Sequence, residues 1–335
     1  VIDWLTLKID ATRIPRSFAD QVARDCNKIL SLDANGVILW QMNARKPTTS
    51  DNHALSMRIN SDLEISGSPA RLLDTNNVFG VPSPAEAGTQ MIDHVQRVFG
   101  VILPSTKHWR CTRVDITENY DLHSLPHVEQ KLRVLRFAES PRFKVSYHKG
   151  GTVYWNAGSQ TRSLKAYAKG PHLRKLAEKG KACVTEWQLE AANRLLRIEA
   201  TLRTKYLKNR CDVPWYEMTA MDAMHEFTDM TKDIIGGGIE RVESFAIDCS
   251  DAALSLGYTE AQGRRAYTTW LLVKEHGPMV SKDLLGRATW YRHQKILKHA
   301  GLSLADMNIR NIVPVVRTTI ALDQPITSWD QLRRA

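Results

Sequence analysis

No two cysteines in this 335-residue chain stand at CxxC spacing. Cys26, Cys111, Cys183, Cys211 and Cys249 are scattered and odd in number, so neither a zinc ribbon nor a disulfide framework is supported, and buried reduced thiols are expected. There is no His-x-His pair. No apolar run approaches the roughly 18 residues of a membrane span, and the opening VIDWLTLKID lacks the basic-then-apolar order of a signal peptide. An intracellular protein with no membrane partner is expected. Internal repeats and low-complexity tracts are missing too, which argues against a solenoid or a disordered chain. Acidic residues are in deficit: 36 Asp and Glu face 46 Lys and Arg, leaving a net charge of +10. That excess suits an anionic partner without saying which one.

What is present is enough apolar residue, 43 %, to fill the core of one large domain with a smaller appendage. Leu5, Leu7 and Ile9 alternate with polar neighbours, and further strand-like segments follow at 36–40 and 55–65. Helical spacing appears over 85–98 and, behind a Ser124 cap, over 125–135. Residues 143–169 read as a three-strand meander, then two short helices lead into the alternating stretch Leu195 to Thr204. Strands and helices mix without βαβ repetition, so the fold class is α+β: a central antiparallel sheet flanked by helices, with a mainly helical C-terminal region. The composition shifts after about residue 233. The expected organisation is 1–233 as the main domain, 234–310 as a helical region, and 311–335 as a tail whose β-branched 311–322 returns as a strand to the first domain.

In Leu164-Lys-Ala-Tyr-Ala-Lys169, a strand puts Lys165, Tyr167 and Lys169 on one face. A phenol between two ammonium groups is a candidate nucleophile, because a free phenol is almost wholly protonated at neutral pH and needs help to react. An ordinary solvated strand face explains the same residues. Arg113-Val-Asp-Ile-Thr117 and Arg197-Ile-Glu-Ala-Thr201 each centre an acid, Asp115 or Glu199, on a strand face beside an arginine. Structural salt bridges account for this as well as a Mg²⁺ or Mn²⁺ site does; Glu64 and His148 complete the candidate ligands. Farther on, helices over 260–276, 281–285 and 289–299 have helix-turn-helix spacing, with Arg292, His293, Lys295, Lys298 and His299 free to meet DNA, or form a plain three-helix packing unit. His94 and Arg97 stand at the spacing of a tyrosine recombinase, but the candidate tyrosine is central rather than C-terminal.

Taken together, Val1-Ile-Asp-Trp-Leu5, Glu64-Ile-Ser-Gly-Ser-Pro-Ala-Arg71, Asn77-Val-Phe-Gly80, Arg113 to Thr117, Thr152-Val-Tyr-Trp-Asn156, Leu164 to Lys169, Arg197 to Thr201 with Thr204-Lys-Tyr-Leu-Lys208, and Asn311-Ile-Val-Pro-Val-Val-Arg317 resemble the gene II replication initiators of filamentous bacteriophages. The resemblance covers most of 1–210 and resumes at 311–330. It implies a site-specific endonuclease that nicks the viral strand of phage origin DNA through a 5′-phosphotyrosine, starts rolling-circle replication, and recloses the displaced strand in the host bacterial cytoplasm, with host helicase and polymerase as partners. It implies Tyr167 as the nucleophile, with Lys169 as a donor and Tyr206 as a second tyrosine. Related initiators carry a histidine pair that is missing here, which leaves Asp115 and Glu199, then Glu64 and His148, to hold Mg²⁺ or Mn²⁺. Lys165, Arg113, Arg197, Arg292, Lys295 and Lys298 are the expected DNA contacts. The alternative is a non-enzymatic origin-binding or transcription-regulating protein, which would use the charge and the C-terminal helices without forming an adduct.

Overall fold

A computed structural model of the chain describes all residues except 49–53, 75, 137, 139–143, 149–150, 210, 233–237, 243–244, 301, 303–314, 320–321, 323 and 335. The strands are β1 (Ile2–Asp10), β2 (Lys28–Leu32), β3 (Ile38–Asn43), β4 (Lys46–Pro47), β5 (Leu55–Ile59), β6 (Asp62–Gly67), β7 (Arg110–Asp121), β8 (Val145–His148), β9 (Thr152–Trp155), β10 (Arg162–Ala168), β11 (Leu195–Arg203), β12 (Gly238–Val242) and β13 (Val315–Thr319). Nine of them form one sheet in the order β4-β5-β6-β1-β7-β11-β10-β9-β8, with antiparallel neighbours. The α+β class, with its antiparallel sheet and helical C-terminal region, is as expected.

The sheet has one apolar face and one polar face because its central strands alternate. Leu5, Leu7, Ile65, Val114, Ile116, Ile198, Ala200, Leu164 and Ala166 are buried on the first. Phe18 and Val22 of the helix Arg16–Asp25 are buried core residues, and the helix Pro84–Phe99 packs on β1. That helix begins at a Ser83 cap, whose hydroxyl accepts from the Glu86 amide, and stops at Gly100 in the left-handed region, φ 61°. The helix Leu125–Leu135, capped by Ser124 as its sequence predicts, buries Val128, Leu132 and Leu135 and contacts β9, β10 and β11.

The polar face is closed at one end by a second, smaller core of Val78, Leu173, Leu189, Ala192, Leu195 and Leu332. This core draws together the segment after β6, the helices Lys169–Glu178 and Glu186–Asn193, and the C-terminal helix Trp329–Arg334. Ile326 bridges Asn119 of β7, so the end of the chain does return to the first unit.

The strand expected to make that return does not. Val315–Thr319 pairs with Gly238–Val242 in a separate two-stranded sheet. Its β-branched pattern found a partner at the other end of the helical insertion, so the entry and exit of that insertion hydrogen-bond to each other. Residues 311–314 lie outside the described residues. Two compact units result, Val1–Gly237 with Thr319–Ala335, and Gly238–Thr318. The second contains the helices Phe245–Ser255, Glu260–His276, Pro278–Leu285 and Arg287–His299.

Candidate active site on the polar sheet face

Tyr167, Glu199 and Thr117 come together because register and alternation agree. β10 and β11 pair Lys165 with Glu199 and Tyr167 with Arg197, and β11 and β7 pair Glu199 with Thr117 and Thr201 with Asp115. Side chains of one parity on all three strands therefore share a face. The Tyr167 hydroxyl donates to Glu199 Oε1 at 2.5 Å, and the Lys165 ammonium lies 2.5 Å from Glu199 Oε2 and 5.1 Å from the Tyr167 ring centroid. Tyr167 is 6 % exposed. Burial and the Glu199 charge raise its phenol well above the ordinary value near 10, while the Arg197 guanidinium works in the opposite direction. His172, one turn into the following helix, meets the Tyr167 ring edge-on at 5.2 Å.

Lys169 corrects one expectation. The strand ends at Ala168, and Lys169 opens the helix Lys169–Glu178, so the alternation that ties Lys165 to Tyr167 stops before reaching it. Its ammonium is buried and donates to the backbone oxygen of Asn77 at 3.2 Å and to Asn77 Oδ1 at 3.0 Å. Burial, then the Arg197 charge, push its pKa well below 10.5. The turn into this helix needs Gly170, where a Cβ would stand 2.7 Å from the Asn193 Cα.

Arg197 is wholly enclosed. It donates to the Asn77 oxygen at 2.5 Å and to Thr117 Oγ1 at 3.0 Å, and it pairs with Asp3 Oδ1 at 3.1 Å; its Nε lies 3.4 Å from Glu199 Oε1. It is therefore an internal strut rather than a surface contact for DNA. Sequence reasoning does not single out Asp3 or Asn77 as site residues. Asp3 reaches the site because β1 slips register against β7 between Ile2 and Trp4, leaving Asp3 unpaired. A bulge of this kind re-aims a side chain, here onto Arg197 and onto the Asn77 amide, which donates to it at 2.8 Å. Strict period-two reading gives no signal for it, although a lone acid in an apolar strand is a hint.

The three carboxylates expected to hold a metal are each met by cations instead. Arg113 forks onto Asp115 at 2.8 and 2.6 Å. Burial nonetheless raises the Asp115 carboxyl, with Glu199 and Asp3 adding to the effect. Glu64, on β6, is held by Arg45 (Nε, 2.7 Å), Arg58 (3.0 Å) and Lys8 (3.1 Å). Both oxygens of Glu199 are occupied. His148 ends β8, and its side chain lies outside the described residues. No group of three or more His, Cys, Asp or Glu able to hold a metal occurs among the described residues, so the carboxylates as arranged do not fit Mg²⁺ or Mn²⁺.

Tyr206 lies elsewhere. It belongs to the short helix Thr204–Asn209, donates to Glu226 Oε2 at 2.9 Å, and has the Arg162 guanidinium 5.4 Å from its ring. Arg162 starts β10, five residues and roughly 16 Å along the strand from Tyr167. The Tyr206 phenol is pushed up to about 12 by burial and Glu226. The helix bearing His94 and Arg97 packs on the Leu5 side of the sheet, opposite Tyr167, so the recombinase spacing assembles nothing around the phenol. Of the basic residues expected to touch DNA in this unit, Lys165 and Arg113 are partly exposed, their side chains 33 % and 39 % open.

A family model described as the N-terminal part of the gene II replication-associated protein matches residues 1–228. The chain belongs to this family of phage replication-associated proteins. Its similarity to the gene II replication-associated protein of Enterobacteria phage I2-2 runs over 99 % of this chain and 97 % of that one, at 24 % identity. The corresponding protein of Enterobacteria phage M13 is 26 % identical over 52 % of this chain and 47 % of its own length. A solved rolling circle replication initiator protein from Geobacillus stearothermophilus aligns over 70 % of this chain and 84 % of that one, at 11 % identity and a TM-score of 0.33; that is too slight a likeness to carry detail. Tyr167, Glu199 and Arg197 all fall within the family match, whereas the helical unit lies beyond it. Among the described residues, no helix is long and apolar enough to cross a membrane.

Proposed function

We propose that this chain is a site-specific DNA endonuclease and strand transferase that nicks the viral strand at a phage replication origin, with Tyr167 as nucleophile, and so starts rolling-circle replication. The observation that carries the reading is the 2.5 Å hydrogen bond from the Tyr167 hydroxyl to Glu199, beside the buried Arg197 and Lys169 and the partly exposed Lys165. A phenol held protonated cannot attack unless its proton leaves in the same step, and in this reading its hydrogen-bond partner Glu199 takes it.

In this reading Tyr167 Oη bonds to phosphorus, its proton passes to Glu199, and the bond from phosphorus to the 3′-oxygen breaks. The leaving oxygen takes a proton from water and becomes the 3′-hydroxyl that a host polymerase extends, while a host helicase opens the duplex. Protonation of Glu199 also ends its ion pair with Lys165, which frees that ammonium to face the phosphate as negative charge builds there. Lys169 and Arg197 act through Asn77 and Asp3 as positioning residues. Rejoining is the reverse: a 3′-hydroxyl attacks the phosphotyrosine, the phenol takes back its proton, and the stored bond energy makes ATP unnecessary. The setting is the cytoplasm of a host bacterium.

The test is a single-stranded origin oligonucleotide from the parent phage, incubated with the full chain in Mg²⁺ or Mn²⁺ and mapped by peptide mass. A denaturant-resistant adduct on the Tyr167 peptide, lost in Tyr167→Phe, is the expected result. A mobility shift with no adduct under any condition would instead favour an origin-binding regulator without enzymatic activity.

A further inference from the structure

The helical unit, Gly238–Thr318, has a core of its own in which Trp270, Val273, Trp290, Ile296 and Leu297 are buried. Its helix Arg287–His299 follows the helix Pro278–Leu285 through Gly286 at φ 74°, a backbone turn that suits glycine. His293, expected to face solvent, is buried and shares a 2.7 Å hydrogen bond between its Nδ1 and Thr269 Oγ1 of the helix Glu260–His276. That bond and the buried Trp290, Ile296 and Leu297 fix the rotation of the helix. The opposite side then shows Arg287, Tyr291, Lys295 and Lys298, all exposed, at steps of four, four and three residues, which make one continuous stripe.

The stripe is not what a merely solvated helix carries. The helix has Arg287, Arg292, Lys295 and Lys298 and no acidic residue, whereas the neighbouring helix Glu260–His276 balances Arg264 with Glu260 at 3.4 Å. Cations three and four residues apart repel, and Arg287 in the first turn opposes the helix dipole. Tyr291, 52 % exposed, stands mid-stripe, where a planar ring can lie against a sugar or base edge. The helix's 13 residues span about 20 Å, and a single helix fits the major groove of B-form DNA.

We propose that the helix Arg287–His299 enters the major groove of duplex DNA, with Arg287 and Tyr291 toward base edges and Lys295 and Lys298 on phosphates. The helical unit then reads the double strand while the first unit cuts one strand. That division of labour rests on the nicking reading; the duplex-binding claim does not.

The test uses the full chain with a random-sequence duplex of about 40 base pairs, its single strand, and selection from a randomised duplex library. Lys295→Ala with Lys298→Ala is expected to weaken duplex binding at least tenfold at physiological salt and to reduce the slope of log affinity against log salt by about 2. Arg287→Ala is expected to remove sequence preference at one position of the selected site. An unchanged salt slope in the double variant overturns the proposal, and so does an equal loss of single-strand binding, which would make the stripe a single-strand contact. If wild type forms no adduct while the stripe variants still lose duplex binding, the nicking reading fails and the groove-binding helix stands.

Discussion

Replacing Lys169 with methionine tests whether the candidate site is built at a cost to stability. The Lys169 ammonium is fully buried and donates hydrogen bonds to two oxygens of Asn77. Because burial, then the Arg197 charge, lower its pKa well below 10.5 in the folded state, the unfolded chain holds this proton more tightly than the folded chain does. Stability from this group is present above pH 10.5 and lost as pH falls toward the folded-state value, at about 1.4 kcal/mol per pH unit. Lys169→Met removes that slope. It also leaves Asn77 Oδ1 without its donor, at a cost of about 1–2 kcal/mol, while the Asn77 backbone oxygen keeps Arg197. The variant is therefore expected to gain stability relative to wild type as pH falls below 10.5, with the difference shrinking as pH rises from 7 to 9. Urea unfolding with pulsed deuteration of β10 and β11 peptides follows this unit without the helical one. A variant less stable by more than about 2 kcal/mol, with a difference that does not move between pH 7 and 9, would show a charged, well-paired lysine and refute the reasoning.

Three more outcomes follow from the same geometry. Glu199→Gln should slow adduct formation by about 10²–10⁴ and leave a rate that climbs about tenfold per pH unit from 7 to 9, since only spontaneous phenolate then reacts; a rate and pH profile like those of wild type would remove Glu199 as the base. Asp3→Asn should destabilise the fold by about 2–3 kcal/mol in urea, because the enclosed Arg197 loses its carboxylate at 3.1 Å but keeps Thr117; a change under about 0.5 kcal/mol would mean the pair is not held in solution. Tyr206→Phe should form the adduct at the wild-type rate, because Tyr206 packs on Arg162 at the opposite end of β10 from Tyr167, and loss of the adduct there but not in Tyr167→Phe would reverse the assignment of the nucleophile.

Much of the fold is legible where local chemistry and tertiary burial agree. The helix Leu125–Leu135 has both its cap and its apolar spacing, and the polar residues of β7 and β11 meet because both strands alternate in phase. What is illegible involves choices that sequence periodicity does not encode. Asp3 joins the site through a register slip, Lys169 leaves the strand because a helix begins under it, and His293 is turned inward by a threonine on another helix. A carboxylate at mid-strand reads as either ion-paired or metal-bound. Which of the two applies is set by side chains far away in sequence, such as Arg45 reaching Glu64, and no spacing rule carries that information.

The order in which a ribosome delivers these pieces has its own consequence. Ile326, Trp329 and Leu332 close the second core over the buried end of the polar face, yet they are synthesised only after the whole helical unit has emerged. At about 5–20 residues per second, the sheet and Tyr167 therefore exist for several seconds with that end uncovered. A chain interrupted inside the helical unit would carry Tyr167, Glu199 and Arg197 and lack the residues that close the second core beside them.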